Sequence, residues 1–274
     1  MTLLIAAVAG VLIGLSLGAL GGGGSILAVP VLVYLLDQSP AQATTGSLVV
    51  VGVTAAIGAV AAARAGNVLV WRGVVFGIVA IGGAAAGARA SSQVSEDVLL
   101  ACFAALMLAV GGLMAWRQVH HGQGTRPQHV ARPSLDDPII SFGPEFICAC
   151  PRALKVLITA TVVGLLTGFL GVGGGFLVVP ALLVALALPM QYAVGTSLVV
   201  ITITSTAALA VRAGSGVAPD WTPVLALTIA SALAAVVGAR LADRVSTDRL
   251  QRAFTVLVLV VAVYTAARAV PPLF

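Results

Sequence analysis

The stretch GGGGSILAVP at residues 21–30 lies inside apolar sequence, and a related stretch, GVGGGFLVVP, lies at residues 171–180. A glycine inside a helix costs about 1 kcal/mol relative to alanine. Two such clusters, each placed within an apolar run and each ending in Val-Pro, predict deliberate breaks in two membrane helices. A broken helix exposes a helix N-terminus within the membrane, and such an end can bind an anion.

The composition is that of a membrane protein. Of 274 residues, 60% are hydrophobic and 8% are charged, and the mean hydropathy is +1.13. A soluble domain carries about 25% charged residues. Uncharged runs of about 20 residues recur and show little alternation, which predicts a polytopic protein built from helices rather than barrel strands.

The net charge of +5 arises from 14 Arg and Lys residues against nine acidic residues. We interpret the basic residues as flanks that orient the spans, and not as a nucleic-acid surface. The three cysteines do not form a disulfide framework, because Cys102 lies in an apolar run and Cys148 and Cys150 lie in a polar segment.

The chain reads as one repeat at 1–116, a polar linker at 117–152 and a second repeat at 153–274. Residues 2–20 are expected to be retained and not cleaved, because a copy of them occurs in mid-chain. The predicted apolar segments are 2–20, 25–36, 44–63, 73–89, 98–116, 153–170, 176–188, 193–211, 222–240 and 250–268.

The legs at 25–36 and 176–188 are too short to cross a hydrocarbon core of about 30 Å at about 1.5 Å per residue. Each break is therefore either a bent crossing or a re-entrant hairpin. Short motifs repeat beyond the breaks: RAG begins at Arg64 and Arg212, and GAR ends at Arg89 and Arg240. The duplication thus extends over nearly the whole chain, which is typical of transporters.

The basic residues favour one orientation of the repeats. If each broken segment crosses once, the repeats are parallel and the two sides hold 9 and 5 basic residues. If each break returns to its own side, the repeats are inverted and the sides hold 11 and 3. The positive-inside bias prefers the second case. We predict an all-α protein of two inverted repeats, each a glycine-broken segment followed by three transmembrane helices, with a cytoplasmic linker and both termini outside.

In this arrangement the two breaks meet near the middle of the membrane and present backbone N–H groups to a small oxyanion. Hydroxyls at matching places on the next helices could donate as well. The structural alternatives are close helix packing by the glycines and hydroxyls that bond their own helix carbonyls. The predicted substrate-binding residues are Gly22, Gly23, Gly24, Ser25, Ser47, Gly173, Gly174, Gly175, Thr196 and Ser197.

The sequence gives little indication of a proton relay, a nucleotide site, a metal site or a cofactor site. No acidic residue lies inside a clear span, so a proton relay on a buried carboxylate is not expected. The glycine clusters lack the Gly-Lys-Ser/Thr of a phosphate loop and the soluble context of a dinucleotide site. Arg64 and Arg212 are interpreted as interfacial. No cofactor or metal is predicted, since the spacing of the candidate ligands is irregular: His120, His121, His129, Cys148 and Cys150.

The two breaks ending in Val-Pro, the Gly-Thr-Ser-Leu-type stretches at 46–48 and 195–198 and the paired Gly-Ala-Arg motifs together resemble the TauE/SafE family, the sulfite exporter or toluene sulfonate uptake permeases. The first repeat departs by reading Thr-Gly-Ser where the second reads Gly-Thr-Ser. The resemblance implies a bacterial inner-membrane permease for sulfite, sulfonates or related organic anions.

We therefore expect a secondary transporter and not an enzyme, with a small anion and the lipid bilayer as partners. Import or export, the coupling ion and homo-oligomerisation stay open. The alternatives are an anion channel of the same fold, a membrane-embedded hydrolase and an adaptor that uses the 117–152 linker.

Overall fold

The computed structural model describes residues 2–91, 96–121, 150–170, 175–184, 186, 188–212, 219–242 and 245–269. Within these ranges the chain is helical and contains no strand, as the composition predicts. The helices are α1 Thr2–Leu20, α2 Gly23–Pro30, α3 Pro40–Arg64, α4 Val70–Ser91, α5 Glu96–His121, α6 Cys150–Leu170, α7 Gly175–Val184, α8 Met190–Arg212, α9 Trp221–Ala242 and α10 Thr247–Ala269.

Five of these helices are long and apolar enough to cross a membrane, counted over the described residues: α1, α3, α4, α8 and α9. The predicted spans at 98–116, 153–170 and 250–268 are also helical, as α5, α6 and α10. Large apolar side chains cover the outer surface, including Trp71 and Leu233, each about 70% exposed. An apolar surface of this extent, on helices long enough to span a membrane, is typical of contact with lipid.

Helix α3 begins four residues before its predicted start because Ser39 caps it. The Ser39 hydroxyl accepts from the Gln42 N–H at 3.4 Å, the Gln42 side chain bonds back to the Ser39 N–H, and Pro40 occupies the first helical position. This is a capping box with proline where its missing N–H costs nothing. Helix α5 continues to His121, so residues 117–121 of the predicted linker are helical, and 122–149 lie outside the described residues.

The leg after the first break is α2 followed by a π-helical segment at Val31–Leu35. Pro30 lacks a backbone N–H, and a π-helical turn follows it. In this turn the Leu36 N–H donates to the Val31 carbonyl, five residues back, at 3.2 Å. The leg ends where the Gln38 N–H reaches the Leu32 carbonyl at 3.0 Å. The second leg ends in the same way, where the Leu188 N–H donates to the Leu182 carbonyl at 3.2 Å.

The first helix of each half packs against a helix of the other half. A Cβ atom added at Gly14 or Gly18 of α1 would overlap the carbonyl oxygen of Ser231 or Ala235 in α9. Helix α6 meets α4 in the same manner, with Gly164 and Gly168 against the carbonyls of Ala80 and Ala84. Residue numbers rise together in both pairs, so each pair runs parallel. Glycine is required here because the backbones touch.

Helices α3 and α8 cross between these pairs and run antiparallel. Gly52 of α3 lies beside Ser205 of α8, whereas Gly58 lies beside Leu198. Two apolar clusters flank this crossing. One gathers buried residues of α1, α2, α3 and α9 with two residues of α8, and the other gathers α4, α6 and α7 with α5, α8 and α10. Helix α7 thus lies in the second cluster, whereas α2 contributes to both, with Ala28 in the first and Ile26 in the second.

Candidate functional site

The first break is a sharp turn between α1 and α2. The Gly21 N–H still bonds to the Leu17 carbonyl at 2.9 Å, but its φ of +71° lies in the left-handed region, which glycine adopts without strain. Gly22 then takes the N-cap position, and α2 begins at Gly23. The predicted interruption is therefore present, and all of residues 21–25 are buried.

The start of α7 lies directly against this turn. A Cβ atom added at Gly22 would overlap the carbonyl oxygen of Gly175 and would lie 2.8 Å from the Cα atom of Phe176. In return, a Cβ atom at Gly175 would lie 2.7 Å from the Ser25 hydroxyl oxygen. The two legs thus begin side by side. Gly173 and Gly174 fall outside the described residues, so only Gly175 represents the second break.

The N-terminus of α2 presents backbone donors at this point. The Ser25 N–H bonds to the Gly22 carbonyl at 3.2 Å, while no carbonyl of the described residues accepts from the amides of Gly22, Gly23 or Gly24. Unpaired N–H groups at a helix start attract negative charge. The Ser25 hydroxyl is already engaged, because it donates to the Gly22 carbonyl at 2.6 Å.

The predicted hydroxyls have different surroundings. Ser197 lies at the break, with its oxygen 2.5 Å from the place of a Cβ on Gly21, and it donates to the Val194 carbonyl at 2.7 Å. Thr196 faces α4 instead, where its hydroxyl accepts from the Leu69 N–H at 3.2 Å. Ser47 donates to the Thr44 carbonyl at 2.8 Å. Of the three, Ser197 is the one that the structure brings to the described break.

Some buried polar groups near the helix crossing were not predicted from the sequence. The Ser205 hydroxyl and the Gln38 side-chain oxygen are buried without a hydrogen-bond partner among the described residues. The hydroxyls of Thr54 and Ser231 lie 2.8 Å apart between α3 and α9. The hydroxyls lie within apolar helices, where they are a weak signal because hydroxyls often satisfy their own helix. Gln38 lies in the polar Asp37-Gln38-Ser39 stretch before α3, which by itself indicates only a loop.

A small cavity of about 20 Å³ adjoins the break, and Val194 lines both. Its polar side chains come from Asn67 and Gln191. The volume is enough for about one water molecule. Among the residues that the structure describes, His, Cys, Asp and Glu form no group of three that could hold a metal. His129 and Cys148 lie outside that part of the chain, whereas His120 and His121 end α5.

Comparison with known proteins adds an independent finding. The family model described as "Sulfite exporter TauE/SafE" matches residues 6–265. Two curated relatives from Xylella fastidiosa, strains 9a5c and Temecula1, are each named "Probable membrane transporter protein". Each is 31% identical over 271 residues, which cover 97% of this chain and 96% of the relative. No solved structure matches the chain significantly.

Proposed function

The chain belongs to the TauE/SafE family of membrane transporters, and from that premise we propose that it is a secondary transporter for a small sulfur-containing anion. The substrate class is sulfite or an organosulfonate, carried across the bacterial inner membrane by alternating access. The observation that carries this proposal is the contact between the two breaks, where Gly22 meets Gly175.

The chemistry of this contact suits an oxyanion. The start of α2 offers the amides of Gly22, Gly23 and Gly24, and a helix N-terminus acts roughly as half a positive charge. A sulfite oxygen can approach these amides closely because glycine has no side chain. Ser197 would complete the site by turning its hydroxyl from the Val194 carbonyl toward the anion. Ser25, Ser47, Gly173, Gly174 and Gly175 remain predicted members of the same site. Thr196 remains one only if it releases the Leu69 N–H, from which its hydroxyl accepts in this structure.

The order of the helix contacts supports the inverted arrangement of the repeats. Helices at corresponding places in the two repeats should then run in opposite directions. Along α3 from Gly52 to Gly58, the residue numbers of the contacts on α8 fall, so α3 and α8 are antiparallel. Gly111 of α5 lies beside Leu259 of α10, whereas Gln118 bonds to Thr255 at 2.6 Å, so this pair is antiparallel as well.

The same arrangement gathers basic residues at one end. Arg64 and Arg240 line one groove, although they end helices from different repeats. Parallel repeats would put these two residues on opposite sides of the membrane. We propose that this end is cytoplasmic, where 11 of the 14 basic residues would lie together with the 117–152 linker.

Burial of the break supports a gated carrier. Residues 21–25 are all buried, and the adjoining cavity has room for about one water molecule. An anion the size of sulfite therefore reaches the amides only after the helices move. We propose that one group of helices rocks against the other around the α3–α8 crossing, as inverted-repeat transporters do.

Reconstituted vesicles provide the test. Vesicles that contain the purified protein are loaded with sulfite, thiosulfate, a sulfonate or a carboxylate as the counter-substrate, or with none. The flux of each labelled anion across the vesicle membrane is then measured. A carrier shows faster exchange when substrate is present on both sides, and this trans-stimulation supports the proposal. A flux that does not depend on substrate on the opposite side of the membrane indicates a channel. If none of these sulfur anions is transported, the substrate assignment is refuted.

A further inference from the structure

A groove between the C-terminal ends of α3 and α9 lies apart from the glycine breaks. It has a volume of about 500 Å³ and combines apolar walls with two basic side chains. The residues that matter here are Ile57, Val60, Ala61, Arg64, Val236 and Arg240. We propose that this groove binds an anionic glycerophospholipid, with its phosphate held between Arg64 and Arg240.

The groove faces outward from the helix bundle. On α3 the side that meets α8 carries Gly52 and Gly58, whereas the groove uses the opposite side. Beside it, Val60 is 53% exposed and, on α9, Val237 is 55% exposed. Aliphatic side chains exposed at this level in a membrane protein contact acyl chains. A lipid can therefore enter the groove sideways from the bilayer.

The two guanidinium groups have no counter-charge in the part of the chain that the structure describes. Both are exposed, both lie in the last turns of their helices, and neither makes a hydrogen bond or ion pair with another described residue. At the corresponding places in the other repeat, Arg212 and Arg89 differ in that each makes a hydrogen bond, an ion pair, a ring contact or another electrostatic interaction. Among the described residues, the groove is thus a site of uncompensated positive charge.

A phospholipid fits this combination better than a free anion does. Guanidinium groups bind phosphate oxygens through paired N–H donors. The walls formed by Ile57, Val60, Ala61 and Val236 offer no polar group to a small hydrated ion, but they can pack against the glycerol and upper acyl chain. Basic pockets between transmembrane helices at the cytoplasmic side bind anionic headgroups in this way.

Native mass spectrometry of the purified full chain, mixed with phosphatidylglycerol and phosphatidylcholine, tests this inference. The wild type should retain phosphatidylglycerol preferentially. The double variant Arg64→Gln/Arg240→Gln should retain about 30-fold less, from about 1 kcal/mol lost for each of the two arginines near the membrane surface. The matched control Arg89→Gln/Arg212→Gln changes the corresponding arginines of the other repeat, and it should bind phosphatidylglycerol as the wild type does.

A second variant separates binding from folding. Ala61→Phe fills the groove and leaves both arginines in place, and it should also lower retention of phosphatidylglycerol. Equal retention by all four proteins would overturn the inference. Two other outcomes would do so as well: inorganic phosphate that binds to the wild type and is lost in the double variant without any lipid effect, and a dimer that Ala61→Phe converts to a monomer.

Discussion

The contact between the two breaks predicts a sharp difference between alanine substitutions at neighbouring glycines. In Gly22→Ala the new methyl group would overlap the Gly175 carbonyl and lie 2.8 Å from Phe176 Cα, where ordinary contact begins at 3.4 Å. Both obstacles are backbone, so the start of α7 has to retreat by more than half an ångström. Overpacking of this kind costs about 1–3 kcal/mol, and we expect a value near 3 kcal/mol because no side chain can yield.

Such a cost would lower the midpoint of thermal unfolding in detergent by about 5–10 °C. If the free energy instead falls on one state of the transport cycle, it shifts the population of that state by about 100-fold. We therefore expect sulfite flux in vesicles to fall by at least about 10-fold, with the protein still inserted.

Two controls make the comparison specific. Gly82→Ala adds a methyl group on α4 where no atom lies within 4 Å, and it should leave both stability and flux close to wild type. Gly23→Ala meets only the end of the Leu257 side chain, at 2.9 Å, and should destabilise far less than Gly22→Ala. If Gly22→Ala melts and transports like Gly82→Ala, the two breaks do not touch and the proposed site is wrong.

Three further substitutions test other parts of the structure. Ser197→Ala should raise the KM for the transported anion about 5- to 10-fold with little change in melting temperature, from one lost hydrogen bond; an unchanged KM removes Ser197 from the site. Thr196→Ala should instead lower stability by about 1–3 kcal/mol, because the buried Leu69 N–H loses its acceptor, and chemical denaturation would measure it. Ser39→Ala should cost about 1 kcal/mol through loss of the cap of α3, whereas Ser39→Asp, which keeps a cap, should restore it.

The sequence predicts the helices of this protein well because length and hydropathy alone decide them. The apolar run at 222–240 becomes α9 at Trp221–Ala242, and the run at 2–20 becomes α1. The glycine break at 21–25 is also predictable, since no other element tolerates four consecutive glycines. Helix α3 begins before the predicted apolar segment at 44–63 because its first turn is set by the Ser39 cap and Pro40, which hydropathy does not detect.

Partner choice between helices is not predictable from such a pattern. Gly10, Gly14 and Gly18 indicate that α1 packs closely against something, but their spacing does not identify α9. The hydroxyls show the same limit. Thr196 and Ser197 are neighbours in sequence, but a helix turns by about 100° between them, so one faces α4 and the other faces the break. The sequence repeat makes Arg64 the counterpart of Arg212, but in the structure Arg64 lines a groove together with Arg240.

The pairing of α1 with α9 has a consequence for biogenesis. When α1 leaves the ribosome, the helix that covers its glycine face lies more than 200 residues further along the chain. The glycine face of α1 is therefore without its helix partner until the second half is synthesised. For the same reason, the halves expressed as separate polypeptides should each be degraded alone and should accumulate only when they are made together.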